Sequence, residues 1–318
     1  MTNIDLKIGE TLRKLRKENS LTQTELAEIS PVGYICTTKQ FRKYETGEVS
    51  IPAQRLTQLL AVLRLTPAEF YAKVYGIDLQ SFDNDFDIIW DLGNEGNFDA
   101  FKIKLDELKT KPYCNEEVPT AKQAIMLCDS VLLSNVDKKY TESINTLINA
   151  MNITNPQLLT STGDIDMGFS ENIHFSLTEY RILFHLAFVK GESDNTPASI
   201  SLEKSIVALL ERDSVALQTK KKLLPATYYN LSCTMIDANM SGILDTIERG
   251  LIFCKKHKDF GLLGNLLWNK GNAYYLIGDI PNAEKFFRQS IATFTAQDDL
   301  SVVEHLRNLG KNKYNVVL

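Results

Sequence analysis

Residues 262–294, LLGNLLWNKGNAYYLIGDIPNAEKFFRQSIATF, constrain the chain more than any other segment. Their apolar positions follow a helical period on both sides of a Gly278-Asp279 break, which predicts two helices joined by a short turn. The segment also carries the small residues Gly271, Gly278 and Ala283 and the aromatic residues Tyr274 and Phe287. A lone pair of such helices cannot bury its own apolar face, so the segment requires neighbours of its own kind.

The rest of the chain can supply them. Weaker helix pairs are predicted at about residues 82–109, 118–150, 176–211 and 225–257, with a last helix near Ser301–Leu309 to cap the stack. Across 318 residues there are only 16 Gly and 9 Pro, too few for the turns of an all-β fold, so the chain is expected to be all-α. No stretch approaches the ~18 uncharged apolar residues of a membrane span, and the charged start MTNIDLKIGETLRKLRK lacks the apolar core of a secretory signal. A cytoplasmic protein with no membrane partner is expected. Cys36, Cys114, Cys128, Cys233 and Cys254 contain no CxxC pair, which favours reduced thiols over a disulfide framework or zinc site.

Charge divides the chain. Residues 1–75 hold 11 Lys and Arg against 8 Asp and Glu, whereas residues 76–318 hold 24 against 32, so a basic head precedes an acidic body. Only the head is suited to a polyanion. Within it Ile8, Leu12 and Leu15 mark a first helix. Thr22 and Glu25 form a capping-box signature for a second, with Leu26 and Ile29 facing inward. Ser30–Cys36 reads as a turn. Residues 37–45, TTKQFRKYE, then form a third helix with Phe41 and Tyr44 inside and Lys39, Arg42 and Lys43 outside. Gly47 ends it, and two more helices follow from Pro52 and from the Thr66-Pro67 start. Residues 76–84, GIDLQSFDN, lose the helical period and are expected to be a linker, giving a head of 1–75 and a body of 85–318.

Five short helices containing LTQTELAE and a basic helix ending YETG resemble the XRE/Cro class of helix-turn-helix DNA-binding domains, through Gln23, Leu26-Ala27, Phe41, Tyr44-Glu45 and Gly47. The span from Ala27 to Phe41, 14 residues, is longer than a tight helix-turn-helix needs. A major groove admits one helix, whose outward side chains donate to base edges while neighbouring groups donate to phosphates. Lys39, Arg42 and Lys43, with Thr37 and Thr38 at the helix start, are the expected DNA-facing residues, and Gln23 is the expected phosphate donor. The class implies that Glu45 anchors the third helix.

The pair at 262–294 resembles a tetratricopeptide repeat, with Gly271, Gly278 and Ala283 where that repeat requires small residues and Tyr274 and Phe287 where it requires bulk between the helices, and the head joined to a degenerate array of such repeats resembles the Rgg/GadR/MutR regulators, the group that includes PlcR, PrgX, NprR and ComR. The resemblance implies a right-handed helical repeat array, a homodimer, double-stranded promoter DNA as one partner and a short signalling peptide on the concave face as another. Aligning the pair on Gly271 places Asn265, Trp268, Asn272 and Tyr275 on that face, with Asn269 beside them. Asn265, Asn269 and Asn272 share a helical stripe whose amides suit an extended peptide main chain. A solvent-wetted polar face fits the same stripe. In the third pair the alignment places Thr178, Arg181, His185 and Phe188 inward, Arg181 as a carboxylate partner, and Tyr228 of the fourth pair joins the set. No cofactor, metal site or catalytic constellation is expected: the four histidines show no ligand spacing, and there is no P-loop, GxGxxG or GxSxG. Two alternatives remain open: the same architecture controlled by a protein partner without a peptide, and a repeat protein acting on a response regulator.

Overall fold

The computed structural model describes residues 3–30, 33–63, 65, 67–75, 79–111, 114, 119–160, 164–168, 175–212, 215–314 and 316. Among them every named element is a helix, as the patterning indicates. They form two compact units, Met1–Ile125 and Met126–Leu318.

The first unit opens with five helices, α1 (Asn3–Glu18), α2 (Gln23–Ala27), α3 (Thr38–Glu45), α4 (Ala53–Val62) and α5 (Pro67–Tyr75). Leu12, Leu26, Phe41, Tyr44, Leu59 and Phe70 are the centre of their shared core. The capping box forms: Thr22 Oγ1 accepts from the Glu25 amide at 3.1 Å and Glu25 accepts from the Thr22 amide at 2.7 Å. Ile29 does not face inward as expected. The helix stops at Ala27, so the period no longer governs Ile29, which is 70% exposed. Gly47 ends α3 in the left-handed region at φ 67°, where a Cβ would lie 2.8 Å from Leu6 Cα. At Gly9 a Cβ would lie 2.4 Å from the Tyr44 carbonyl oxygen, so α1 and the end of α3 touch backbone to side-chain-free backbone.

Much of the expected linker is helical. Residues 79–84 begin α6 (Leu79–Asn94), because Phe82, Phe86 and Ile89 continue a buried i, i+4, i+7 stripe through the acidic residues. Residues 76–78 lie outside the described residues. After α6 comes α7 (Phe98–Lys109), its hairpin partner.

The further helices are α8 (Pro119–Asn135), α9 (Tyr140–Asn152), α10 (Leu177–Glu192), α11 (Thr196–Leu210), α12 (Leu217–Asp237), α13 (Ile243–His257), α14 (Leu263–Leu276), α15 (Ile280–Ala296) and α16 (Leu300–Tyr314). They give the expected succession of pairs and final helix. The fourth pair starts at Leu217 rather than near 225: Leu223 and Leu224 carry the buried period through Pro225, which lies inside α12. A common turn recurs between partners. Gly96-Asn97, Asp194-Asn195 and Gly278-Asp279 each place a left-handed residue before an Asn or Asp whose side chain caps the next helix.

In the last pair, α14 and α15 approach so closely that a Cβ on Gly271 would lie 2.4 Å from Phe287. Trp268 stacks obliquely on Phe287 with ring centroids 4.4 Å apart, and Tyr314 from α16 closes the cluster.

Candidate functional site

In the head, the long turn between α2 and α3 is tied down at both ends. The amides of Ile35 and Cys36 donate to the Ala27 carbonyl at 2.9 and 3.2 Å. Glu28 accepts from the Thr38 amide at 2.5 Å and the Thr38 hydroxyl at 2.8 Å, so a side chain from just beyond α2 caps α3. Those bonds, the backbone bond first, hold the pKa of Glu28 below its ordinary value.

The other end of α3 is held by a buried ion pair. Arg16 Nε donates to Glu45 at 2.6 Å and its Nη2 at 3.2 Å, while Nη1 donates to the Leu21 carbonyl at 2.7 Å. Gln23 adds a 2.5 Å bond to the same carboxylate. Glu45 thus does anchor the helix. Arg16 was not singled out by the sequence reading, although it occupies the i+4 position from Leu12 on the apolar stripe of α1, where a cation needs a buried partner. Gln23, expected to reach for phosphate, has its amide nitrogen on Glu45, and Thr38, expected to face DNA, gives its hydroxyl to Glu28. In this structure both side chains tie α2 and α3 together through charge-assisted bonds to carboxylates.

Outward from this frame α3 presents cations. Lys39 and Arg42 are exposed and Lys43 half-buried, at i, i+3 and i+4 on one face. Thr37 caps the helix by accepting from the Gln40 amide at 3.1 Å and is itself exposed. Such a face can donate to base edges and phosphates together.

The expected peptide residues are not gathered on one open face. Trp268 is 7% exposed and belongs to the cluster with Phe287 and Tyr314; it is core, because a large apolar ring gains more by filling the space beside Gly271. Tyr275 is half-buried and packs edge-on against Tyr314, centroids 4.9 Å apart. Arg181 and His185 are interior, 3% and 6% exposed. His185 Nε2 lies 3.1 Å from Ser134 Oγ, and burial holds its imidazole down at about 4, so it is neutral at pH 7. Tyr228 is also buried and donates its hydroxyl to Glu211.

The amide stripe of α14 is a seam against α12. Asn269 Nδ2 donates to Ser232 Oγ at 2.8 Å and approaches Cys233 Sγ at 3.1 Å. Burial pushes the ionisation of the Tyr229 hydroxyl, near Asn265, up to about 12. Asn272, half-buried, has its Oδ1 shielded from solvent without a hydrogen-bond partner among the described residues. Beside the seam, burial pushes the Glu203 carboxyl up to about 8. Among the described residues no cluster of three or more His, Cys, Asp or Glu could hold a metal, and no helix is long and apolar enough to cross a membrane.

Residues 7–71 match the helix-turn-helix domain family. The head is a helix-turn-helix domain. No curated protein matches the chain by sequence. Along nearly its whole length the chain has the fold of PlcR of Bacillus thuringiensis, solved with the peptide PapR7 and DNA: the TM-score is 0.65 at 19% identity, covering 95% of this chain and 99% of that one. Rgg2, the SHP pheromone receptor of Streptococcus dysgalactiae, follows at a TM-score of 0.54 and 17% identity, with 96% and 99% covered. ComR of S. thermophilus, solved with DNA and its signalling peptide ComS, has a TM-score of 0.51 at 13% identity, with 95% and 97% covered. A helix-turn-helix domain followed by paired helices is therefore the architecture this chain shares with PlcR, Rgg2 and ComR.

Proposed function

We propose that the chain is a peptide-responsive transcriptional regulator that reads promoter DNA as a homodimer through α3. The observation that carries the reading is the exposed cationic face of α3, locked at one end by Glu28 and at the other by Arg16–Glu45, in a helix-turn-helix domain joined to paired helices. A rigid recognition helix is what base readout requires, since a helix free to tilt would not hold its donors on the base edges. The proteins that share the fold, PlcR and ComR, are each solved with DNA and a peptide. For the peptide, the α12–α14 seam is the supporting feature: Asn272 carries a shielded acceptor that a main-chain amide would satisfy, and Asn265 borders the same seam.

One short helix reads few base pairs, so specificity calls for paired half-sites about one DNA turn (~34 Å) apart and hence for a dimer. The test is selection of duplexes from a random library by the full chain, with mass spectrometry of peptides that co-purify from a host of its own kind. Enrichment of a two-fold symmetric sequence, with a peptide that shifts the affinity, supports the reading; no enrichment over bulk duplex refutes it.

A further inference from the structure

A cavity of about 710 Å³ opens between the α11–α12 connection, the first half of α12 and the second half of α13. No residue of the Asn265–Asn269–Asn272 seam lines it. Its apolar walls are Val215, Leu224, Ile252 and Phe253, and its size falls in the range of ~300–1,000 Å³ that small-molecule sites occupy.

The rim has a charge opposite to that of the unit around it. Residues 211–222 and 249–258 carry eight Lys and Arg against two Asp and Glu, whereas the whole of Met126–Leu318 carries 19 against 21. Glu211, the carboxylate at the cavity, is already engaged: it accepts from the Tyr228 hydroxyl and from Arg249, whose guanidinium also lies 5.7 Å from the Tyr228 ring centre. That leaves Lys220 and Lys256, neither of which pairs with a carboxylate side chain among the described residues; Lys220 makes only a 3.4 Å contact to the Glu211 carbonyl. Ile252 is 57% exposed at the same mouth, a large apolar surface that binding would cover.

We infer that this cavity is a second ligand site, for a small apolar monocarboxylate whose chain lies on Leu224, Ile252 and Phe253 and whose carboxylate meets Lys220 and Lys256. The apolar walls exclude a compact hydrophilic anion such as phosphate as the preferred ligand, and the cationic rim excludes an apolar cation. The inference does not depend on the peptide reading.

The test is calorimetric titration of decanoate and octanoate into the full chain, below their micellar concentrations, with decyltrimethylammonium and the acetylated tripeptide acid Ac-Leu-Val-Leu as comparison probes. We expect one decanoate per chain, about tenfold tighter than octanoate because each methylene removed from water contributes roughly a three- to fourfold gain. Lys256→Glu and Lys220→Glu should each weaken decanoate about tenfold with unchanged circular dichroism, and the cation should bind at least tenfold more weakly than decanoate. Equal affinity for the two acids, or decanoate binding unmoved in both variants, overturns the site. A tripeptide that binds tenfold tighter than decanoate overturns the choice of ligand and makes a peptide terminus the occupant.

Discussion

Glu45→Gln tests whether a buried ion pair holds the recognition helix. Glu45 is 4% exposed and Arg16 9%, and the carboxylate takes two bonds from Arg16 and one from Gln23. The substitution keeps the shape of the side chain and removes its charge, which leaves the Arg16 guanidinium buried without compensation. Breaking a buried pair in this way costs about 3–5 kcal/mol, against about 0–1 kcal/mol for an exposed pair. Amide hydrogen exchange followed by mass spectrometry reads the head separately from the rest of the chain. Peptides covering residues 7–45 should lose protection by roughly 10²–10⁴-fold, the same free energy expressed as an opening constant. Replacing both partners, Arg16→Met with Glu45→Leu, should restore most of it, because an apolar pair of similar volume avoids the desolvation of two charges. A loss below tenfold in Glu45→Gln, or a double variant no better protected than the single, would refute the argument that the pair anchors α3.

Lys39→Ala and Arg42→Ala should each cost ~1–3 kcal/mol in affinity for a selected duplex, read by fluorescence anisotropy at fixed salt, with exchange in the head unchanged. Asn269→Ala should lower the stability of the repeat helices by about 1–3 kcal/mol because its partners in α12 are left buried, whereas Asn272→Ala should change urea unfolding by less than about 0.5 kcal/mol and weaken peptide binding instead. Two buried groups set opposing pH slopes. His185, lowered from 6.5 to about 4, takes up its proton only on unfolding, so its contribution is complete above pH 6.5 and is lost as pH falls toward 4. Glu203, raised from 4.5 to about 8, is neutral in the fold, so its contribution is complete below pH 4.5 and is lost as pH rises through 8. The slopes should nearly cancel between pH 4.5 and 6.5. In urea titrations His185→Gln should therefore decline in stability across that window and Glu203→Gln should rise; parallel profiles for both variants and the unaltered chain would contradict the assignment.

The order of elements was legible in the sequence because each helix pair carries its own apolar period, and so was the capping box at Thr22, whereas the role of Glu45 was implied only by the resemblance to the XRE/Cro class. Less was legible where two signals overlapped. At residues 79–84 acidic residues hid the Phe82–Phe86–Ile89 stripe, and at Pro225 a residue that usually starts a helix lay inside one. The candidate sites were read less fully. Outward positions on α3 follow from the period alone, but the partners of Gln23, Thr38 and Asn269 come from other segments of the chain, and no spacing along it encodes which carboxylate or hydroxyl meets them. Trp268 shows the same limit: its position in the pair was clear, but whether it filled the core or faced ligand depended on the gap left by Gly271 and on Tyr314.

In the proposed function α3 reads DNA sequence. That role is tested most directly by fluorescence anisotropy of the library-selected duplex against a scrambled duplex of equal length, using the full chain and the Lys39→Ala/Arg42→Ala double variant at one salt concentration. The unaltered chain should prefer the selected duplex at least ~10³-fold, and in the double variant that preference should collapse to the affinity of the scrambled one. A double variant that keeps the preference would contradict that role.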